Sequence, residues 1–209
     1  MTTPNYILVV DDIADILNLL QTTLTFKGHR VITARNGQEA LDAIQKERPA
    51  LVIADILMPI MDGFSLVHHL RINPATRDLP VVFLSATYVA PEDKDFALAI
   101  GVTQFIEKPV DIEAFLPVIA DILSGKIKPA HPAVSDFEFY DGYRKRLETK
   151  LQHKTAQITR SERLLNTTRD EMEKQSVMKS LEDARAERDA ILKLLEQIHK
   201  QIGEFKNAE

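Results

Sequence analysis

Cysteine is absent from the 209 residues of the chain. This absence excludes a disulfide framework, catalysis by a thiol and cysteine-based zinc sites, and it fits a reducing compartment. The sequence also lacks any run near the roughly 18 apolar residues of a membrane-spanning helix. Its first residues show no basic region followed by a long apolar stretch. These features predict a cytoplasmic protein with no membrane partner.

A basic excess is lacking as well. The chain holds 26 Lys and Arg against 31 Asp and Glu, for a formal net charge of -5. Residues 136–209 carry 15 charges of each sign, so the acidic excess belongs to the preceding residues. Because a nucleic-acid interface needs clustered positive charge, we expect no nucleic-acid partner. The 44% hydrophobic content allows a sizeable core, and the length allows one domain with an extension.

Apolar segments of strand length alternate with helical patterns in the first part of the chain. The predicted strands are 6–10, 30–34, 51–55, 81–85 and 104–107, and the predicted helices are 14–27, 38–47, 64–72, 92–100 and 111–124. The strongest strand segments are continuously apolar, which is typical of strands covered on both faces. The alternation predicts an α/β fold with a parallel sheet wrapped by helices through right-handed crossovers.

A different composition follows a linker that contains Pro129 and Pro132. From residue 136 onward, 30 of 74 residues are charged, and residues 143–202 contain neither glycine nor proline, which is helix composition. We therefore expect a first domain at 1–125, a linker at 126–135 and a helical coiled-coil region at 136–209.

Two apolar series run along the helical region. The first is Leu147, Leu151, Ile158, Leu165 and Met172, interrupted by Lys154, Ser161 and Thr168; the second is Leu181, Ala184, Arg188, Ile191, Leu195, Ile198, Ile202 and Phe205. The second series has heptad spacing. The two are out of phase, so the sequence allows either one long helix with a register shift or a hairpin that turns near residues 173–176.

Five polar side chains close the predicted strands. They are Asp11 and Asp12 after the first strand, Asp55 on the third, Ser85 on the fourth and Lys108 after the fifth. In a parallel sheet of strand order 2-1-3-4-5, these side chains meet at one edge, where such sheets bind ligands. Clustered carboxylates repel one another unless a cation is present, and oxygen ligands favour Mg²⁺.

The same side chains suit phosphoryl transfer. Lys108 and a metal can neutralise a transferring phosphoryl group, and the Ser85 hydroxyl can donate a hydrogen bond to it. Asp55 stands alone on the central strand and is the candidate nucleophile that forms an acyl phosphate.

Residues 1 to about 125 resemble the receiver domain of two-component response regulators. The resemblance is carried by the acid pair of VVDD, the segment DILMPIMDG, the hydroxyl and alanine of LSA and the Lys-Pro of EKPV. It implies the flavodoxin-like fold, with a five-stranded parallel sheet of order 2-1-3-4-5 and helices on both faces. It also implies Mg²⁺ dependence and transfer of a phosphoryl group to Asp55 from a histidine kinase or a phosphotransfer protein.

The resemblance further assigns roles around the site. Asp12 and Asp55 would bind Mg²⁺ directly, with the backbone carbonyl of Leu57, while Asp11 would act mainly through water. Ser85 and Lys108 would hold the phosphoryl group.

Three more positions take their meaning from the family pattern. Phe105 occupies the place of an aromatic switch residue that works with Ser85, and the Lys108–Pro109 peptide bond is expected to be cis. Leu57 and Thr87 stand where family members vary among residues that position the hydrolytic water. An apolar Leu57 predicts slow self-dephosphorylation.

These features predict a phosphoacceptor response regulator with no enzymatic activity beyond self-phosphotransfer and self-dephosphorylation. Phosphorylation of Asp55 would alter the face made by the fourth helix, fifth strand and fifth helix, and the helical region would pass the change on. We expect a homodimer through the helical tail, through that face, or through both. Because Lys154 and Thr168 interrupt the first apolar series, we expect a switchable interface.

Two alternatives remain open from the sequence. The chain could be the receiver and signalling-helix linker of a larger hybrid sensor kinase or cyclase. A Mg²⁺-dependent phosphatase with Asp55 as its nucleophile is disfavoured, because Asp11 and Asp12 are adjacent and do not form the Asp-x-Asp motif of the haloacid-dehalogenase type.

Overall fold

The computed structural model describes residues 6–85, 91–128, 135–168 and 170–206. The chain divides into two compact units, Met1–Ser135 and Asp136–Glu209, which are described separately below. Within the described ranges, no helix has the length and apolarity to cross a membrane. Most of the linker and Thr87 lie outside the described residues.

Strands and helices alternate strictly in the described part of the first unit. They are β1 Tyr6–Val10, α1 Ala14–Phe26, β2 Arg30–Ala34, α2 Gly37–Lys46, β3 Leu51–Asp55, α3 Gly63–Ile72, β4 Val81–Ser85, α4 Pro91–Ala99, β5 Gln104–Glu107 and α5 Ile112–Leu123. The strands coincide with the predicted ranges, and each helix boundary falls within one residue of its prediction.

The five strands form one parallel sheet in the order β2-β1-β3-β4-β5. In the register of this sheet, Val10 pairs with Ala54, Asp55 with Leu84 and Ser85 with Glu107. The carboxyl ends of four strands therefore lie along a single edge. The predicted flavodoxin-like fold is confirmed.

The sheet is buried on both faces. On one face, alternate strand residues pack with α1 and α5 in a cluster of Ile7, Val9, Leu17, Leu20, Leu24, Leu51, Ile53, Val82, Leu84, Phe115, Ile119 and Ile122. On the other face, the rings of Phe83 and Phe64 pack in a T-shaped arrangement with centroids 5.4 Å apart, and the centroids of Phe64 and Phe96 are 5.3 Å apart. This double burial explains why β1, β3 and β4 are continuously apolar up to their last residues.

Side-chain caps fix where several helices begin. The carboxylate or amide oxygens of Asn36, Asp62 and Asp111 accept backbone N–H groups from the first turns of α2, α3 and α5. Such caps satisfy amides that have no partner inside the helix.

The second unit is a helical hairpin of α6 Asp136–Thr167 and α7 Glu171–Lys206. Ile158 packs with Leu181 and Ala184 in its core. The buried residues of α7 follow the predicted heptad series: Leu181, Ala184, Ile191, Leu195 and Ile198. Of the two arrangements that the sequence allowed, the structure shows the hairpin.

Ion pairs cross the hairpin beside this core. Lys154 Nζ lies 2.8 Å from Glu187 Oε2, and Arg185 Nη2 lies 2.7 Å from Glu162 Oε1. The lysine that interrupts the first apolar series therefore has a carboxylate partner on the opposite helix.

The position predicted for the turn was wrong by several residues. The chain turns between Thr167 and Glu171, before the predicted residues 173–176. Asp170 caps α7, because its Oδ1 accepts the N–H groups of Met172 at 2.8 Å and Glu173 at 3.0 Å. The prediction followed the loss of phase between the two apolar series, whereas a local cap decides where α7 begins.

Candidate functional site

Asp55 is the last residue of β3, and its side chain is only 14% exposed. Its Oδ1 lies 2.6 Å from Nζ of Lys108, just beyond β5. Its Oδ2 accepts the backbone N–H of Leu57 at 2.8 Å. These contacts hold the carboxylate at the edge of the sheet where the strands end.

Lys108 makes a second carboxylate contact. Its Nζ lies 2.7 Å from Oδ2 of Asp11, which is buried after β1 and whose Oδ1 accepts the N–H of Ile13 at 2.9 Å. One ammonium group therefore bridges Asp11 and Asp55. The sheet order brings together three of the side chains that the sequence placed at this edge.

The charges of the pocket are out of balance. Burial raises the pKa of Asp55; Lys108 opposes the rise, and Asp11 adds to it. Partial burial and the neighbouring Asp11 carboxylate raise the pKa of Asp12. For Lys108, burial acts to lower the pKa, but hydrogen bonds to Asp11 and Asp55 outweigh it, and the pKa is raised. A single ammonium group does not neutralise three carboxylates, so the pocket favours a further cation.

The donors present fit Mg²⁺. Within the described ranges, no group of three or more acidic or histidine side chains is close enough to hold a metal by itself. The pocket instead offers a few hard oxygen donors that carry excess negative charge. Mg²⁺ suits such a site because it takes one or two carboxylates and keeps several of its waters.

Ser85 and Phe105 lie on the neighbouring strands. Ser85 is the buried last residue of β4, and its carbonyl oxygen accepts the backbone N–H of Lys108. Phe105 is in register with Phe83, and its side chain is buried. The ring of the expected switch residue therefore already lies inside the domain in this structure. The Lys108–Pro109 peptide bond is cis, as the resemblance implies.

The loop from β3 to α3 closes the site on one side. The N–H of Gly63 donates to the carbonyl of Ile56 at 2.8 Å, and a Cβ on Gly63 would lie 2.5 Å from the carbonyl oxygen of Asp55. Glycine is needed there because two backbone segments approach closely. The Met58–Pro59 part of the loop leads to Ile60, which has a φ of 67°.

Sequence reasoning missed two residues of this region, Ile60 and Gly37. The N–H of Gly37, at the start of α2, donates to the carbonyl of Met61 in the β3–α3 loop at 2.8 Å. The available sequence signal was a glycine directly after Asn36, a residue type that often caps helices. That signal indicates the start of a helix but does not identify the loop that packs against it.

Exposed apolar side chains lie on the loops that follow β1 and β3, beside Asp55. Ile13 on the β1–α1 loop and Leu57 and Ile60 on the β3–α3 loop are all exposed. Asp12 on the β1–α1 loop is exposed as well, and these exposed residues of the two loops are called the rim of the pocket below.

Comparison with known families gives a consistent match over the first unit. The family model of the response regulator receiver domain matches residues 7–120. An uncharacterised 14.6 kDa protein of Leptolyngbya boryana is 42% identical over 105 residues, which are 50% of this chain and 79% of that protein.

Longer relatives match over the same region. The response regulator PleD of Caulobacter vibrioides is 38% identical over 105 residues, which are 50% of this chain and 23% of that protein. The probable transcriptional regulator ycf27 of Porphyra purpurea is 43% identical over 103 residues, 49% of this chain and 41% of that protein. The chain thus spans less than half the length of these two relatives.

Solved structures agree with the fold. The chemotaxis response regulator CheY4 of Vibrio cholerae has a TM-score of 0.53 and 34% identity, covering 57% of this chain and 99% of its own. The signal receiver domain of a signal transduction histidine kinase from Syntrophus aciditrophicus has a TM-score of 0.54 and 34% identity. The match covers 58% of this chain and 91% of that domain's chain.

Proposed function

Because the chain belongs to the response regulator receiver domain family of two-component signalling, we propose that it accepts a phosphoryl group on Asp55. The observation that carries this proposal is the Lys108 ammonium group shared between Asp55 at 2.6 Å and Asp11 at 2.7 Å. It places a cation beside a largely buried carboxylate at the end of the central strand. Such a cation stabilises the charge of a transferring phosphoryl group.

The transfer uses an oxygen of Asp55 as the nucleophile. This oxygen attacks the phosphorus of a phosphohistidine, and the P–O bond forms as the P–N bond breaks. The bonding electron pair leaves with the imidazole, which is protonated. Lys108 moves from its carboxylate contacts to a phosphoryl oxygen, and the Ser85 hydroxyl donates to another.

The metal site in this proposal consists of Asp12, Asp55 and the backbone carbonyl of Leu57, with Asp11 acting through water. When bound, Mg²⁺ supplies positive charge that offsets the carboxylates and the phosphoryl oxygens. Burial is the main cause of the raised pKa values of Asp12 and Asp55, and the neighbouring Asp11 carboxylate adds to both; a bound cation would offset that repulsion.

A protein donor fits the rim of the pocket. Exposed Ile13 and Leu57 provide apolar contact area for a histidine kinase or a phosphotransfer protein that presents the phosphohistidine. The proposal needs neither a nucleic acid nor a membrane as a partner. It also includes no activity toward small phosphate esters.

The proposed output is the helical hairpin at 136–209, after a receiver at 1–125 and a linker at 126–135. The hairpin leaves Leu164, Met172, Met178 and Leu192 exposed, and its charges balance at 15 of each sign. A second copy covers such a surface without net repulsion. We therefore propose a homodimer through the hairpin, through the α4–β5–α5 face, or through both, with phosphorylation altering its stability.

A second candidate is the receiver and signalling-helix linker of a longer hybrid sensor kinase or cyclase. It is favoured by similarity to a receiver from a histidine kinase and to the much longer PleD. A reading frame that continues past residue 209 into a kinase or cyclase domain supports this candidate. A stop codon directly after Glu209 excludes it.

The first experiment is incubation of the full chain with Mg²⁺ and acetyl phosphate, a small acyl-phosphate donor, followed by intact mass measurement. We expect the mass of one phosphoryl group to be added, and lost again in hydroxylamine. A chelator should prevent the addition, and so should Asp55→Asn. Addition that persists in Asp55→Asn would refute Asp55 as the acceptor.

A further inference from the structure

The β3–α3 loop holds an apolar residue in an unfavourable backbone conformation. Ile60 has a φ of 67°, a region that β-branched residues rarely occupy. The N–H of Met61 donates to the carbonyl of Pro59 at 2.7 Å, which closes a three-residue turn around Ile60. Turns of this kind with positive φ are rare and strained, so other contacts must hold the loop in place.

One such contact comes from the first residue of α2. The N–H of Gly37 has no acceptor inside its own helix, and it donates to the carbonyl of Met61 at 2.8 Å. The start of α2 is itself fixed, because Asn36 Oδ1 accepts the N–H of Glu39 at 2.9 Å. The carboxylate of Glu39 accepts the N–H of Arg35, also at 2.9 Å. A rigid helix end therefore contacts the strained turn.

Only glycine permits this approach. A Cβ on Gly37 would lie 2.7 Å from Cγ of Met61 and 2.9 Å from its carbonyl oxygen, closer than real Cβ contacts allow. Gly28, Gly101 and Gly125 have positive φ, but Gly37 does not. The space available, and not the backbone conformation, is therefore what excludes a side chain at this position.

The contact lies at one end of the segment that carries the site. At the other end, the N–H of Leu57 donates to Asp55. The N–H of Gly63, two residues after Met61, joins the two ends by donating to the carbonyl of Ile56. Displacing Met61 would let the loop relax and carry the carbonyl of Leu57 away from the pocket. We propose that Gly37 is a positioning residue that acts through Met61 to set the loop around Asp55. This inference rests on the proposed function, since it concerns the same site.

The test compares two glycine-to-alanine variants of the full chain. In Gly37→Ala, we expect the dissociation constant for Mg²⁺, measured by calorimetry, to rise about tenfold. Losing a group that holds metal ligands in position typically weakens metal binding by this order. The control is Gly203→Ala, because a Cβ on Gly203 meets nothing within 4 Å. Its Mg²⁺ affinity should equal that of the wild type. Unchanged Mg²⁺ affinity in folded Gly37→Ala would overturn the positioning role, even if the variant melts at a lower temperature.

A second substitution separates positioning from general destabilisation. Met61→Ala removes the Cγ and Sδ atoms that a Cβ on Gly37 would strike, and leaves only the carbonyl contact. The double variant should therefore bind Mg²⁺ more tightly than Gly37→Ala alone and more weakly than Met61→Ala alone. If Gly37→Ala does not fold, the comparison of the double variant with Met61→Ala decides the matter, and equal affinities overturn the proposal.

Hydrogen exchange gives a readout that does not depend on phosphorylation. The amide of Gly37 should exchange slowly in the wild type without Mg²⁺, and exchange as fast as in an unstructured peptide would contradict the hydrogen bond. A wild type that binds Mg²⁺ but forms no acyl phosphate would refute the proposed function and leave the Gly37 contact standing. Normal phosphorylation and metal binding in Gly37→Ala would refute the Gly37 proposal alone.

Discussion

Nζ of Lys108 lies 2.6 Å from Oδ1 of Asp55, although the two residues are 53 positions apart in the chain. The contact exists because β4 alone separates β3 from β5 in the sheet, so that the ends of these strands share one edge. It joins the proposed phosphoacceptor to the cation that would contact the phosphoryl group.

Replacing Asp55 by Asn should stabilise the metal-free protein at neutral pH. The pKa of Asp55 is raised in the folded state above its ordinary value of 3.8, chiefly by burial. The protonated Asp55 carboxyl group therefore contributes its full stability below about pH 3.8. This stability is lost as the pH rises through the raised pKa, because the buried group then ionises. We expect Asp55→Asn to gain about 1 kcal/mol in free energy of unfolding at pH 7 without Mg²⁺.

Urea unfolding of the two proteins at several pH values checks this prediction. The gain should shrink as the pH falls toward 4, because the wild-type carboxyl group is then increasingly protonated. A variant that is less stable than the wild type at pH 7 without Mg²⁺ would contradict it.

Replacing Lys108 by Met should have the opposite effect on stability. The substitution leaves Asp11 and Asp55 without their shared cation, and the expected loss is about 2 kcal/mol in free energy of unfolding. Phosphorylation by acetyl phosphate should slow about 100-fold, because Lys108 would no longer stabilise the charge that develops on the phosphoryl group in the transition state.

Lys126→Met is the matched control. Lys126 Nζ also lies 2.7 Å from a carboxylate, that of Asp121, but this pair is exposed. Its loss should change the free energy of unfolding by no more than about 0.5 kcal/mol. Equal effects of the two lysine substitutions on phosphorylation would argue against a special role for Lys108.

The acyl phosphate should be long-lived, because position 57 carries an apolar side chain. We expect a half-life of minutes or longer in Mg²⁺, measured by the decay of the phosphorylated mass after the donor is removed. Leu57 is exposed, so Leu57→Glu is tolerated there and should position water and shorten the lifetime about tenfold, which is about 1.4 kcal/mol in barrier height. Leu57→Met is the apolar control. A wild-type half-life of seconds would contradict the prediction.

The hairpin should depend on its small core. Ile158 is buried against Leu181 and Ala184, so Ile158→Ala should cost about 3 kcal/mol of local stability. Hydrogen exchange resolved along the chain should show faster exchange in α6 and α7. Gln157→Ala, at an exposed position of the same helix, should change exchange little. Equal exchange in the two variants would count against the hairpin.

The sequence predicted most of the fold because β1, β3 and β4 are apolar on both faces and each helix ends close to polar or turn-forming residues. It also predicted which side chains share the sheet edge, since Asp11, Asp55, Ser85 and Lys108 each close a strand. Once the order of the strands is known, their proximity follows from topology alone.

Other features needed the tertiary structure. The contact between Gly37 and Met61 joins the start of α2 to the β3–α3 loop, and the sequence of neither segment identifies the other as its partner. The turn of the hairpin contains neither glycine nor proline, and the cap at Asp170 has the same sequence appearance as any exposed aspartate in a charged helix. Such features arise from close approach and local hydrogen bonding, which apolar periodicity does not encode.

Sedimentation of the full chain with Mg²⁺, with and without beryllofluoride as a mimic of the phosphoryl group, tests most directly whether Asp55 controls the helical region. We expect beryllofluoride to change the mass or the shape of the wild type and to leave Asp55→Asn unchanged. Identical mass and shape of the wild type in both states, with beryllofluoride bound, would contradict a relay from Asp55 to the hairpin.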